Sequence, residues 1–269
     1  MIRACLLLLL VGIFSIPAYA QFTDFPIGIS GVPQARLKGP VHTVLTIEQR
    51  GEYVFSTVAE VYDRTGKLTE TLSSNANIEI HSGTLVRLGG KTVRFYDSQG
   101  RLAKEMRFTP EGRYSSYELH NYDSQNRLIE TRNYDSANKE TGKTTYSYYP
   151  DRREVLVTWN SYYEGRIAPP MKNLLTYDEK GRWTKRTEFD SYGSPRDVIT
   201  FDYDSNGNFI RETNHGLSHR YTYEFDSHDN WIEQRNIYNQ PGEPADREWM
   251  RKYRVISYYS DSETKPSKQ

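Results

Sequence analysis

The heptad at Tyr96–Leu102, YDSQGRL, returns as YDSQNRL at Tyr122–Leu128 with one residue changed. Variants start at Tyr62 (YDRTGKL), Tyr177 (YDEKGRW), Tyr203 (YDSNGNF) and Phe225 (FDSHDNW), and a degenerate copy starts at Tyr149 (YPDRREV). From Tyr96 onward the string recurs every 22 to 28 residues. Such a period restricts a chain to architectures that stack one supersecondary unit on the next. Weaker turn signals lie midway, among them TPEGR at 109–113, YYEGR at 162–166 and FDSYGSP at 189–195. A reversal therefore falls about every thirteen residues, leaving segments of about six to nine, which suit strands and not free-standing helices. Alternation agrees: Ile199, Phe201 and Tyr203 share a face, as do Val155, Val157 and Trp159. The expected fold is all-β, an antiparallel meander of tandem β-hairpins forming a long twisted or spiralling sheet.

The heptad carries its own turn chemistry. Asp63, Asp97, Asp123, Asp178 and Asp204 stand at the first corner, where a carboxylate bonds the backbone two residues on. Gly66, Gly100, Gly181 and Gly207, with Asn126 in one copy, fall where the backbone needs a positive φ. Tyr62, Tyr96, Tyr122, Tyr177 and Tyr203 precede the turns. Tyr96 with Leu102, Tyr177 with Trp183 and Tyr203 with Phe209 should pair across strands, each pair contributing about 0.2–1 kcal/mol. The Arg or Lys before that apolar residue should point to the other face.

The chain opens MIRACLLLLLVGIFSIPAYA, with Arg3 before an apolar run and the small-x-small pattern Ala18-Tyr19-Ala20. Residues 1–20 read as an export signal, since the run is shorter than the ~20 residues a membrane span needs. Residues 21–39 read as an extended lead-in, 40–259 as one β-repeat domain, and 260–269 as a disordered tail. The chain's one cysteine, Cys5, lies in the signal, so thiol catalysis, cysteine metal sites and disulfides are excluded from the remainder. Export without disulfides fits the bacterial periplasm or the extracellular space. Basic and acidic side chains balance at 35 each, which leaves nucleic acid without an electrostatic handle. No integral membrane segment is expected after signal cleavage.

The heptads Tyr62–Leu68, Tyr96–Leu102, Tyr122–Leu128 and Tyr177–Trp183 resemble the YD repeat of the Rhs family, found in bacterial Rhs toxins, insecticidal toxin complexes and animal teneurins. The match spans roughly residues 60–240. At Tyr203–Phe209 the charged position is Asn208, and at Phe225–Trp231 Phe, Asp229 and Asn230 replace Tyr, Gly and Arg. The resemblance implies a long antiparallel strip that spirals, in the large toxins into a hollow shell around a toxic piece. This chain is short for a shell and ends in SDSETKPSKQ, without a toxin segment.

Chemistry-bearing motifs are sparse. His215 and His219 with His228 form a loose histidine group, but Gly216 interrupts it and no acidic partner has ligand spacing, so no metal is expected. DSNGN at 204–208 lacks the glycine and glutamate of a calcium loop. The turn aspartates are committed to local backbone bonds and are poor general acids. No cofactor is expected. Trp159, Trp183 and Trp231 are the candidate ligand-binding residues, with a core role as the competing assignment. These readings point to an exported, non-enzymatic binding or structural protein of the bacterial envelope, with cell-surface carbohydrate or an envelope protein as partner. The alternatives are a carbohydrate-active enzyme whose carboxylates meet only in the fold, and an accessory protein to a larger Rhs-type partner.

Overall fold

The structure is a computed structural model describing residues 37–51, 53–74, 78–79, 89–163, 166–239 and 247–260. The proposed signal at 1–20 and most of the lead-in and tail lie outside the described residues. At every heptad but the degenerate one at Tyr149 the turn is built by the same bonds. In the Asp178 turn, Gly181 N–H donates to the Asp178 carbonyl and Asp178 N–H to the Arg182 carbonyl. The Asp178 carboxylate accepts from the N–H groups of Lys180 and Arg182, both at 2.9 Å. Gly181 has φ 74°, and Asn126 fills the same place at 61°.

The strands, in chain order, begin with β1 Val41–Arg50, β2 Tyr53–Tyr62, β3 Leu68–Ser74, β4 Ile78–Glu79, β5 Lys91–Tyr96 and β6 Leu102–Phe108. Next come β7 Tyr114–Tyr122, β8 Leu128–Asp135, β9 Glu140–Tyr149, β10 Glu154–Tyr163, β11 Arg166–Ile167 and β12 Met171–Tyr177. The last are β13 Trp183–Phe189, β14 Pro195–Tyr203, β15 Phe209–Asn214, β16 Leu217–Phe225, β17 Trp231–Asn239 and β18 Arg247–Tyr258. All pairings are antiparallel, and neighbours in the sheet are neighbours in sequence once the two-residue strands β4 and β11 are set aside. The ends then meet. β18 pairs with β1 over Thr43↔Ser257 to Gln49↔Arg251.

This closure corrects the expected fold. The sheet is a closed antiparallel barrel of sixteen of the eighteen strands, not an open spiralling one. The expected open strip of YD or RHS repeats is corrected with it, because a strip of that kind has two free ends and this sheet has none. The physical cause is visible at the turns. Register shifts stand beside Tyr62, Tyr96, Tyr122, Tyr177, Tyr203 and Phe225, one before each heptad. A bulge bends its strand and increases local twist, so repeated bulges curl the sheet until its edges pair. The last strand, β18, is correspondingly paired on both sides.

Register also fixes the two faces. Val157 pairs with Tyr146 on one side and Asn173 on the other, and the same face continues through Leu175, Arg186 and Ile199. It carries the core cluster, including Val157 at 1% exposure, Trp183 at 3% and Phe201 at 4%. In a closed sheet the concave side is where side chains converge and shield one another, so this face is the lumen.

Candidate functional site

The lumen has two unlike walls. From β9 to β15 it is mainly apolar: Tyr146, Val155, Val157, Leu175, Ile199, Phe201 and Phe209 belong to the buried cluster, with Trp159 and Tyr177 packed against it, and an Arg186–Glu188 ion pair at 3.1 Å interrupts it. From β18 through β1 to β7 it is charged. Glu48 pairs with Lys252, and Arg94 Nε meets Glu105 Oε1 at 2.6 Å. Glu118 stands directly across from Glu105. Arg107 Nη2 lies 3.5 Å from a carboxylate oxygen of each.

A cavity of about 290 Å³ opens where these walls meet, toward the barrel end opposite the heptad turns. Arg107, Ser116, Asn133, Gly142, Trp159 and Ser161 line it. All six take lumen-facing register positions, Gly142 lying between Asn133 and Ser161. A Cβ on Gly142 would stand 3.2 Å from the Asn160 carbonyl oxygen, so the strands close tightly there and no side chain fills the gap. What results is one aromatic surface facing hydroxyl, amide and guanidinium groups. That combination suits a small polar ligand with one apolar face.

Deeper on the charged wall sit Glu105, Glu118 and His120, with one ligand-capable atom from each within 4.8 Å of the others. Desolvation raises the Glu118 pKa, Arg107 opposing it and the Glu105 charge adding to it. Desolvation likewise lowers the His120 pKa from 6.5. Sequence inspection passed over this group. Glu118-x-His120 puts both side chains on one strand face, but Glu105 joins them only through the β6–β7 register.

The three candidate tryptophans separate. Trp159 lines the cavity. Trp183 is 3% exposed and meets the Tyr177 ring edge-on at 6.4 Å. Trp231 is 6% exposed, with the Arg254 guanidinium 3.6 Å over its ring. The candidate histidines do not converge: His215 contacts Asp197, His219 Nδ1 lies 3.1 Å from Asn236, and His228 stacks on Tyr258. The heptad residues ring the other barrel end and do not line this cavity. The heptad Arg does not simply turn to the far face as expected. Arg101 Nε bonds Asp97 at 2.7 Å and its guanidinium lies 4.8 Å over the Tyr122 ring.

No family model matches the sequence. No curated protein matches it either. Solved structures of similar shape include a porin-like protein from Bacteroides uniformis, 10% identical, covering 82% of this chain and 99% of that chain at a TM-score of 0.40. A porin-like protein from Bacteroides vulgatus is 12% identical, covering 81% and 99% at 0.45. At such scores the likeness decides nothing about this chain.

Proposed function

We propose that this chain is an exported, non-enzymatic protein of the bacterial envelope that binds a polar ligand, a short carbohydrate, in the lumen cavity. The observation behind this reading is the lining itself: Trp159 offers a flat apolar surface, and Arg107, Ser116, Asn133 and Ser161 offer donors and acceptors around it. A sugar ring presents a C–H face to stack and an equatorial belt of hydroxyls to bond. At about 290 Å³ the cavity sits near the lower bound for small-molecule sites, which suits one terminal ring of a glycan. Export rests on residues 1–20, whose apolar run and Ala18-Tyr19-Ala20 match a cleavable signal.

A lipid-embedded barrel is the less favoured reading. A membrane barrel needs a continuous apolar band around its outside. Here the outward face carries Glu130 with Arg132 and Lys143, Asp202 with Arg211, and Glu233 with Arg235.

A glycan and peptidoglycan-fragment screen on the processed protein, followed by calorimetry, tests the proposal. Trp159→Ala should weaken binding about tenfold or more, equivalent to ~1.4 kcal/mol. Ser116→Leu, which fills the cavity, should abolish it while circular dichroism stays unchanged. Glycan binding indifferent to both substitutions, or no glycan bound at all, would overturn the reading.

A further inference from the structure

His120 is among the most enclosed polar side chains on the charged wall, 4% exposed, and its Nε2 makes no hydrogen bond. That atom nevertheless lies 3.3 Å from Glu118 Oε1. The separation lacks hydrogen-bond geometry, yet it matches the edge between two ligands of a tetrahedral ion bound at about 2.0–2.1 Å. Glu105 supplies a third ligand atom, an oxygen, within the same sphere. We propose that Glu105, Glu118 and His120 form a binding site for a divalent transition-metal ion, of which zinc is the representative, on the lumen wall beneath the cavity. The inference stands independently of any carbohydrate.

The donor set selects the class of ion. One imidazole nitrogen with two carboxylates suits zinc and its first-row neighbours, whereas calcium and magnesium favour all-oxygen shells. The two guanidiniums are the competition. Arg94 is fixed on Glu105 Oε1 at 2.6 Å, but each carboxylate oxygen carries two lone pairs, so that contact leaves room for an ion. Arg107 is loosely held, 3.5 Å from each carboxylate with a side chain 40% exposed, and is the group an entering cation displaces.

The experiment strips the full chain with a chelator and titrates it with zinc alone against a chromogenic competitor. One ion per chain is expected. Glu118→Gln and His120→Gln should each weaken binding by at least about tenfold, more than an outer-sphere change typically costs at its mildest. A combined His215→Ala, His219→Ala, His228→Ala variant should leave affinity unchanged. Arg107→Gln should tighten it, because the substitution removes the cation competing for the same oxygens. Binding that survives His120→Gln, that disappears with the three remote histidines, or that is absent in the unaltered chain overturns the proposal. Should His120→Gln fail to fold, Arg107→Gln decides: tighter binding supports the site, and unchanged or weaker binding overturns it.

Discussion

Arg101, Arg127 and Arg182 each join two successive hairpins. Every one bonds its own turn carboxylate, Asp97, Asp123 or Asp178, at 2.7 to 2.8 Å through Nε. Each also lies 4.7 to 4.8 Å over a tyrosine at the next turn, Tyr122, Tyr148 or Tyr203. The rings of Tyr122 and Tyr148 are held from a second side, their hydroxyls donating to the Leu102 and Leu128 carbonyls at 2.9 and 2.8 Å. A guanidinium held by a carboxylate loses little further freedom by stacking, so these contacts, each worth about 0.5–1 kcal/mol, add to packing and not merely to surface charge pairing. The tryptophans show the same division between core and surface. Trp183 is enclosed by the cluster, so Trp183→Ala should destabilise the barrel by about 3–5 kcal/mol. Trp159 is open to the cavity on one side, so Trp159→Ala should cost clearly less. Urea denaturation of both variants checks this, and an equal loss would mean that Trp159 is core as well.

At the scale of the hairpin, the sequence is most legible because the interactions are local. Asp, the positive-φ residue and the flanking Tyr–Leu or Tyr–Trp pair fall within seven residues, and Tyr96↔Leu102 and Tyr177↔Trp183 are direct partners. What seven residues do not reveal is the next unit's tyrosine under the arginine, since that contact depends on register between hairpins. The turn carboxylates also make the hairpins acid-sensitive. For Asp123 the backbone N–H of Arg127 leads in lowering the pKa below 3.8, and for Asp97 and Asp178 desolvation pushes up but is outweighed by bonds from Arg101 and Arg182. A carboxyl titrating lower in the folded than in the unfolded chain adds stability that is complete above the unfolded value and lost as pH falls through the folded one. The melting temperature should therefore hold level down to about pH 4–5 and fall below it. In an Asp97→Asn, Asp178→Asn double variant the neutral-pH melting temperature should drop and the acid fall should be shallower. A slope unchanged in that variant would show that the turns do not govern the acid response.

Closure belongs to the whole molecule, and no window of sequence displays it. Alternation along a strand defines two faces without saying which is concave, and curvature accumulates from bulges spread over the entire ring. The seam itself joins Thr43 to Ser257 across 214 positions, with hydroxyls 2.5 Å apart. The same holds for both candidate sites, since Gly142 opens a gap only where Asn133 and Ser161 flank it, and Glu105 meets Glu118 only across a hairpin. Near the seam the outward face is apolar, with Leu45 paired to Val255 and to Ala59. The charged pairs on β8, β14 and β17 interrupt that band, whereas a membrane barrel carries a continuous apolar girdle. The seam offers a decisive measurement. Leu45 and Val255 are direct antiparallel partners, so Leu45→Cys with Val255→Cys places two thiols at a separation a disulfide can span. In a chain starting at Gln21 no other cysteine competes. Mild oxidation of dilute protein should give an intramolecular bridge, faster migration on non-reducing gels, and about 2–4 kcal/mol of added stability from the long loop it closes. An open sheet keeps those strands at opposite ends, and would yield only free thiols or intermolecular dimers.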